Sequence, residues 1–327
     1  MIVELDGEPV FVGTGSVPWS REVAVASGGA GAAPAAGNAP AVAARGATDD
    51  AGPDTAGRPD ADGPDGARPV LLLLHGAGMD RTVWVLLARY FARHGWNVVA
   101  PDWPAHGGSG GAPLASVEAQ ASWAWRLLDA LRAGHDLGDG PLVCAGHSMG
   151  ALAAVAMAGE RPEGVAHLLL LGAGYPMAVG APLMDAAEAN ERAAIDMITI
   201  HGHAHASRLG RNTMAGISVV NQAAALLARA APGVLHADLA ACHAWQGAEA
   251  AAERFGPART TILAGEEDRM TPSRGTRTLA TLLDGRIVTL GDCGHMMMGE
   301  RPEATLVAMR EAVSDAVSER TVRTRGT

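Results

Sequence analysis

Short apolar runs separated by longer amphipathic segments set the pattern of this chain. The clearest run is Val70–Leu74, five consecutive apolar residues without a polar position. A run of this kind is typical of a strand that is buried on both faces, as in a parallel sheet. Runs rich in apolar residues predict further strands at 97–100, 141–145, 165–171, 260–264 and 286–290.

Segments with helical periodicity lie between most of these runs. Asp80 precedes one such segment, which ends at Gly95, and the two residues are typical of a helix N-cap and C-terminus. Further helices are predicted at 116–133, 151–158, 272–283 and 302–317. Strands that alternate with helices of this length predict an α/β fold, a mostly parallel, doubly wound sheet with helices on both faces.

Two parts of the chain depart from this alternation. Residues 2–14 predict a hairpin that turns at Asp6-Gly7. Between 176 and 255 the pattern is helical only, which indicates a helical lid inserted late in the sheet, over its carboxyl edge. The predicted helices there are 183–200, 218–230 and 235–245. We therefore expect N-terminal strands in 1–26, an α/β core in 69–175 and 256–327, and a cap in 176–255.

One stretch has a composition unlike the rest. From 27 to 68 the chain consists almost entirely of alanine, glycine, proline and aspartate. Such a stretch buries too little apolar surface to offset the entropy lost on ordering. We expect a low-complexity, disordered insertion between the early strands.

Composition and charge exclude several partner classes. The chain has 327 residues, of which 48% are hydrophobic, enough for a sizeable core. A formal net charge of −10 disfavours binding to nucleic acid or to an anionic membrane surface. Since no apolar run reaches about 18 residues, no membrane span is expected.

The cysteine and lysine content bears on compartment and chemistry. Three cysteines without metal-ligand spacing, Cys144, Cys242 and Cys293, argue against a disulfide framework. The sequence starts without the charged and apolar regions of a signal peptide, so a cytoplasmic location is expected. All the basic residues are arginine, which excludes Schiff-base chemistry and a Ser-Lys dyad.

The most informative motif is Gly146-His147-Ser148-Met149-Gly150. It follows a predicted strand and precedes a run of small residues. A Gly-x-Ser-x-Gly sequence at a strand-to-helix junction predicts a nucleophile elbow, which exposes the serine at the carboxyl end of the strand. The glycines allow the strand and helix backbones to approach closely. We take Ser148 as the candidate nucleophile.

A serine hydroxyl needs a base within hydrogen-bond reach and a carboxylate that orients the base. Asp268 and His295 follow two later strands, at the sheet edge where side chains converge. They stand in the chain order Ser, acid, His that this architecture uses. Three other residues compete for the acid role: Glu266, Glu267 and, farther away, Asp185.

A tetrahedral intermediate needs N–H donors that point at its oxyanion. The backbone N–H of Met149 is one candidate, because it lies at a helix N-terminus. The loop after Val70–Leu74 should supply the other, from Ala77 or alternatively from Gly78. We expect His75 to order that loop.

Three histidines, His201, His203 and His205, suggest a metal site at first sight. Their spacing does not put all three on one helix face, and no cysteine or carboxylate triad accompanies them. We expect neither a metal nor a cofactor, and we expect these three histidines to be polar residues of the cap.

Taken together, the motifs resemble those of the α/β-hydrolase superfamily over residues 69–319 apart from the cap. The matching elements, all in family order, are His75-Gly76, the motif at 146–150, Asp268 before Met270-Thr271-Pro272, and Gly294-His295. Within the superfamily, the chain is similar to the capped esterase, perhydrolase and carbon–carbon hydrolase groups. The resemblance implies a serine carboxylesterase that acts on a small ester-like substrate.

Two other functions are compatible with the same constellation. The triad also serves hydrolysis of carbon–carbon bonds and peroxide chemistry on this fold. A ligand receptor with slow turnover is the alternative from a different functional class.

Overall fold

The structure is a computed structural model that describes residues 1–19, 67–211, 213, 216–257 and 259–325, with the backbone alone from 315 onward. The insertion predicted at 27–68 therefore lies outside the described residues, apart from its last two, Ala67 and Arg68.

Eight strands form one sheet in the order β1-β2-β4-β3-β5-β6-β7-β8. The first two strands form the predicted hairpin, and β2 runs antiparallel to β4. All other neighbours are parallel, so the prediction of a mostly parallel α/β sheet is confirmed. The strands are β1 (Ile2–Leu5), β2 (Glu8–Gly13), β3 (Val70–Leu74), β4 (Asn97–Pro101), β5 (Leu142–His147), β6 (His167–Leu171), β7 (Thr260–Gly265) and β8 (Arg286–Leu290).

Twelve α-helices occur within the described ranges. Between β3 and β6 lie α1 (Val85–Arg93), α2 (Val117–Gly134) and α3 (Met149–Glu160). Between β6 and β7 lie α4 (Ala181–Glu188), α5 (Arg192–Gly202), α6 (His205–Arg208), α7 (Val219–Leu227), α8 (Val234–Ala244) and α9 (Ala248–Phe255). The remaining helices are α10 (Ser273–Leu283), α11 (Met297–Glu300) and α12 (Pro302–Arg325).

Alternate residues of the central strands enter two separate cores, one on each face of the sheet. Leu72 and Leu74 of β3 pack in the core that contains α2, α3, α9 and α10. Leu71 and Leu73 pack in the core that contains α1 and α12. This burial on both faces explains the continuous apolar run of β3, because the side chains on either face of the strand are shielded from water.

Two predicted helices are interrupted. Asp80 caps a short 3-10 turn, Arg81–Trp84, and α1 begins only after it. The helix predicted at 183–200 is two helices, α4 and α5, with Asn190 between them at φ +54°. Asparagine tolerates this left-handed conformation, and its side-chain oxygen accepts a hydrogen bond from Gly233 N at 2.6 Å.

Helices α4, α5, α7 and α8 contribute apolar side chains over the carboxyl edge of the sheet. Ile198 of α5 and Leu227 of α7 pack against Met79 and Met296, which belong to loops that follow β3 and β8. The helices between β6 and β7 thus contact the loops in which the candidate site residues lie. Across the described part of the chain, every helix is too short or too polar to cross a bilayer.

Truncating the central strand tests the two-core architecture. Leu72→Ala should lower the free energy of unfolding by about 2–5 kcal/mol, because Leu72 is fully buried and a cavity would remain. Val307→Ala, at a side chain that is 48% exposed, is the matched control and should change it by less than about 0.5 kcal/mol. Denaturant titration measures both variants, and equal effects would contradict the buried position of β3.

Candidate active site

The elbow holds Ser148 in a strained conformation between β5 and α3. Its backbone lies at φ 52° and ψ −116°, a region that non-glycine residues rarely adopt. A Cβ at Gly146 would overlap the backbone of Gly150, and a Cβ at Gly150 would overlap the carbonyl of Leu74. Side chains at either position would therefore separate the backbones that impose the turn.

The Ser148 hydroxyl is available for chemistry. Ser148 donates its backbone N–H to Leu171 O at 2.9 Å, which ties the elbow to β6. Its side chain does not cap α3, and the residue is partly exposed while both its neighbours are buried. The hydroxyl is therefore not used to cap α3, and the residue keeps part of its surface exposed.

Asp268 and His295 form a buried pair at the carboxyl edge of the sheet. Asp268 Oδ2 lies 2.8 Å from His295 Nδ1, and each side chain is 3% exposed. Thr271 donates its hydroxyl to the same carboxylate oxygen at 2.5 Å, and the N–H groups of Met270 and Thr271 donate to Oδ1 at 2.8 and 2.9 Å. The carboxylate is therefore fully satisfied as an acceptor.

These contacts set the charge of the pair. Burial by itself raises the pKa of Asp268, but His295 and the hydrogen bonds from His295 and Thr271 outweigh it, so the net pKa is lowered. The carboxylate stays ionised, and Nδ1 of the imidazole donates to it. The other ring nitrogen, Nε2, is then the one that can take a proton.

The structure places the competing carboxylates elsewhere. Glu267 accepts from His205 N at 2.8 Å, and Glu266 faces the N–H of Asp292 at 3.4 Å. Asp185 is exposed on α4. Of the four carboxylates considered from the sequence, Asp268 is the one bonded to His295.

His295 lies beside the elbow. Its carbonyl accepts from His147 Nε2 at 2.9 Å, and the two rings are 4.6 Å apart. A Cβ at Gly172, the residue after Leu171, would come within 2.9 Å of His295 Nδ1. Since Leu171 also accepts the Ser148 N–H, the imidazole lies near the ends of β5 and β6, on the side of the sheet where the elbow turns.

The loop after β3 lies against the same serine. A Cβ at Gly76 would be 3.3 Å from Ser148 Cβ. Gly78 donates its N–H to Asp238 Oδ2 at 2.8 Å, so this alternative donor is already engaged. The N–H groups of Ala77 and Met149 have no partner among the described residues. For Met149 the reason is its place at the first position of α3.

His75 and His147 are held neutral around this site. Burial, followed by the charge of His106, lowers the pKa of His75 to about 3, and burial lowers the pKa of His147 to about 3. His75 Nε2 accepts from Trp103 N at 3.2 Å while its Nδ1 faces Gly76 O at 3.0 Å. His75 therefore joins the loop after β3 to the loop after β4, in line with an ordering role.

Two buried carboxylates of the site carry no sequence motif. Asp238 of α8 binds the loop after β3, as described above. Glu300 accepts from Gly294 N at 3.0 Å and from Ala204 N at 2.8 Å. These bonds join the loop after β8, which contains His295, to the cap. Both lie within helical segments, where the sequence shows only an ordinary polar residue.

The histidines of the cap are separated in the structure. His201 and His205 are exposed, whereas His203 is buried and its Nδ1 lies 2.9 Å from Thr199 O. In the described ranges, no group of histidine, cysteine and acidic side chains has an arrangement that could hold a metal ion.

Comparison with known proteins agrees with the observed fold. A family model described as "Alpha/beta hydrolase family" matches residues 71–308. The chain is 31% identical over 263 residues to a pimeloyl-[acyl-carrier protein] methyl ester esterase from Aromatoleum aromaticum, which covers 75% of this chain and 98% of that protein. It is also 34% identical over 106 residues to an (E)-2-((N-methylformamido)methylene)succinate hydrolase from Acinetobacter baylyi, covering 32% and 38% of the two chains.

Solved structures share the fold at low sequence identity. Est816, titled an N-acyl homoserine lactone degrading enzyme, superposes with a TM-score of 0.67 at 18% identity, covering 95% of this chain and 99% of that chain. The enol-lactonase from Burkholderia xenovorans LB400 gives a TM-score of 0.63 at 20% identity, covering 76% and 92%.

Adding a methyl group at the elbow tests its geometry. Gly146→Ala should slow the labelling of Ser148 by a fluorophosphonate by at least about 100-fold, because the serine must move when the backbones separate. Gly134→Ala is the control, since a Cβ there meets nothing within 4 Å. Mass spectrometry of the labelled peptide measures both rates, and wild-type labelling of folded Gly146→Ala would refute the elbow.

Proposed function

The chain belongs to the alpha/beta hydrolase family, and on that premise we propose that it is a serine hydrolase that cleaves a small ester-like substrate through an acyl-enzyme. The observation that supports this most strongly is the buried Asp268–His295 pair standing beside the strained Ser148. An ionised carboxylate that orients a neutral imidazole next to a serine on a sharp turn is the arrangement that acyl transfer needs.

In the first half of the reaction, Ser148 Oγ attacks the ester carbonyl carbon and its proton passes to His295 Nε2. Asp268 stabilises the imidazolium that forms. The negative oxygen of the tetrahedral intermediate accepts hydrogen bonds from the N–H groups of Ala77 and Met149. When the carbon–oxygen bond to the alcohol breaks, the alcohol leaves with the proton held by His295.

In the second half, a water molecule replaces the alcohol. It gives a proton to His295 Nε2 as its oxygen attacks the acyl carbon, and a second tetrahedral intermediate forms at the same donors. Its collapse returns the proton to Ser148 Oγ and releases the carboxylic acid. No cofactor enters either half of this scheme.

The surroundings of the site favour an apolar substrate group. A cavity of about 590 Å³ lies between α7 and residues 79–87. Met79 and Met296 line it, and they are close in the chain to Ala77 and His295, although Ala77, Ser148 and His295 do not themselves line it. A pocket of this size and character holds a small organic ligand. We propose that the cavity receives the apolar part of the ester.

The comparisons favour ester hydrolysis over the related chemistries. The relative matched over 98% of its length carries the name of a methyl ester esterase, whereas the succinate-derivative hydrolase matches over 38% of its length. Cleavage of a carbon–carbon bond or perhydrolysis on the same triad is the second candidate. If the protein turns over vinylogous diketones faster than simple esters, carbon–carbon bond hydrolysis is the better assignment.

Removing the nucleophile tests the mechanism. Ser148→Ala should lower kcat on p-nitrophenyl butyrate by about 10⁴- to 10⁶-fold, since no acyl-enzyme can form. Ser122→Ala is the control, because Ser122 lies on α2 and bonds only Glu160 in an exposed position. Steady-state kinetics and stoichiometric fluorophosphonate labelling measure the effect.

Two results would contradict the proposal. Wild-type turnover by Ser148→Ala would show that another group is the nucleophile. Wild-type protein that neither hydrolyses esters nor reacts with the fluorophosphonate would favour the ligand receptor instead.

A further inference from the structure

Asp238 joins the cap to the loop after β3. It lies on α8 and is buried, and its Oδ2 accepts the Gly78 N–H at 2.8 Å. The same oxygen lies 2.9 Å from His106 Nε2, in the loop after β4. One carboxylate of the cap thus contacts two loops of the α/β core.

The contact with Gly78 fixes a peptide plane next to the candidate oxyanion hole. In a trans peptide the N–H and the preceding C=O point in opposite directions. With the Gly78 N–H held toward Asp238, the Ala77 carbonyl must point away from Asp238. The orientation of the Ala77–Gly78 peptide is therefore set by a side chain of the cap.

Packing leaves this segment little freedom to move in other ways. Gly78 adopts φ +66°, and a Cβ there would come within 2.9 Å of Leu235 and 3.2 Å of Leu227, both on cap helices. Met79 N donates to Gly76 O at 3.2 Å and closes a tight turn. The cap thus packs at backbone distance on the loop that carries Ala77.

Asp238 brings a buried negative charge close to the place where an oxyanion would form. His106 lies between two acceptors, Asp238 Oδ2 and, at Nδ1, Pro104 O at 2.9 Å. Two acceptors require protons on both ring nitrogens, which makes the ring an imidazolium. Burial lowers the pKa of His106, but the hydrogen bond and charge of Asp238, the Pro104 carbonyl and Asp102 raise it more, so it is raised overall.

The ring of His75, which also lies beside His106, does not compete for this charge. The His75 ring is 5.1 Å away and is neutral. Asp238 and His106 therefore form a buried ion pair whose net charge is zero. Without His106, the carboxylate would be left unpaired in a dry site, which is costly and would oppose a second negative charge nearby.

Building on the proposed hydrolase function, we propose that Asp238 is a positioning residue of the oxyanion hole: by holding the Ala77–Gly78 peptide it fixes the carbonyl side of Ala77, the residue whose N–H is the candidate donor. We propose further that His106 is the counter-ion that makes this carboxylate compatible with an oxyanion. The cap then takes part in the chemistry of the site as well as covering it.

Substitution of Asp238 tests the positioning role. Asp238→Ala should lower kcat by about 10- to 100-fold with KM changed less than about threefold, because a misplaced donor affects the transition state and not substrate binding. Asp238→Asn, which keeps an acceptor oxygen, should lose less than Asp238→Ala. Rates are divided by the concentration of serine titrated with a fluorophosphonate, so misfolded protein does not count.

Asp196→Ala is the matched control. Asp196 lies on α5 of the cap, is 53% exposed and, within the described residues, its carboxylate pairs with Arg192 alone, so this change should leave kcat and KM unaltered. If Asp238→Ala keeps wild-type kcat, or raises KM at constant kcat, the positioning role is wrong.

A double-mutant cycle tests the counter-ion role. His106→Gln should lower kcat by about 10-fold or more in the wild-type background, because the charge of Asp238 is then unpaired. In the Asp238→Asn background the same change should cost clearly less. If His106→Gln lowers kcat by the same factor in both backgrounds, His106 does not act by compensating the charge of Asp238.

Hydrogen exchange provides a readout that needs no turnover. In Asp238→Ala the amides of 76–79 should exchange faster than in the wild-type protein, while amides of β5 keep their protection. If exchange at 76–79 is unchanged, the positioning role of Asp238 is wrong, whatever the esterase activity. Failure of Ser148→Ala to lose activity, by contrast, would refute the proposed function and leave the exchange result standing.

Discussion

The close approach of β5 and α3 is the constraint on which the site depends. A Cβ at Gly146 of β5 would overlap the backbone of Gly150 in α3, and a Cβ at Gly150 would overlap the carbonyl of Leu74 in the neighbouring strand β3. The chain can make this turn only by holding Ser148 at a positive φ. The same turn leaves the hydroxyl without a capping bond to α3 and places the N–H of Met149 at a helix N-terminus, so one backbone feature positions both the candidate nucleophile and a candidate donor.

Around this turn, buried polar groups are kept in defined protonation states by their partners. The histidine that packs under the elbow, His147, is neutral because burial disfavours its charged form. Asp268 stays ionised because its hydrogen bonds and His295 offset the cost of burial. Two further carboxylates, Asp238 and Glu300, bind backbone N–H groups of the loops after β3 and β8 and of the cap. Each is compensated by several donors, as buried charges must be.

Much of the fold was predictable because the sheet is buried on both faces. Continuous apolar runs mark the central strands, and the hairpin and most helices follow from local signals. The single helix predicted at 183–200 was wrong, because Asn190 adopts a left-handed conformation that periodicity does not register. Helix α9 was missed, since it spans only eight residues and much of the face that packs on α3 is alanine.

By itself, the sequence determined the family and the candidate triad, because its motif residues stand directly after strands, and the carboxyl ends of parallel strands meet at one edge. Only the tertiary structure decided between donors and between acids. Gly78 is engaged by Asp238, and Glu267 is turned to the cap, both through contacts between residues more than 60 positions apart in the chain. Such contacts leave no local pattern in the sequence, since a buried carboxylate inside a helix cannot be distinguished from any other polar residue until its partners are known.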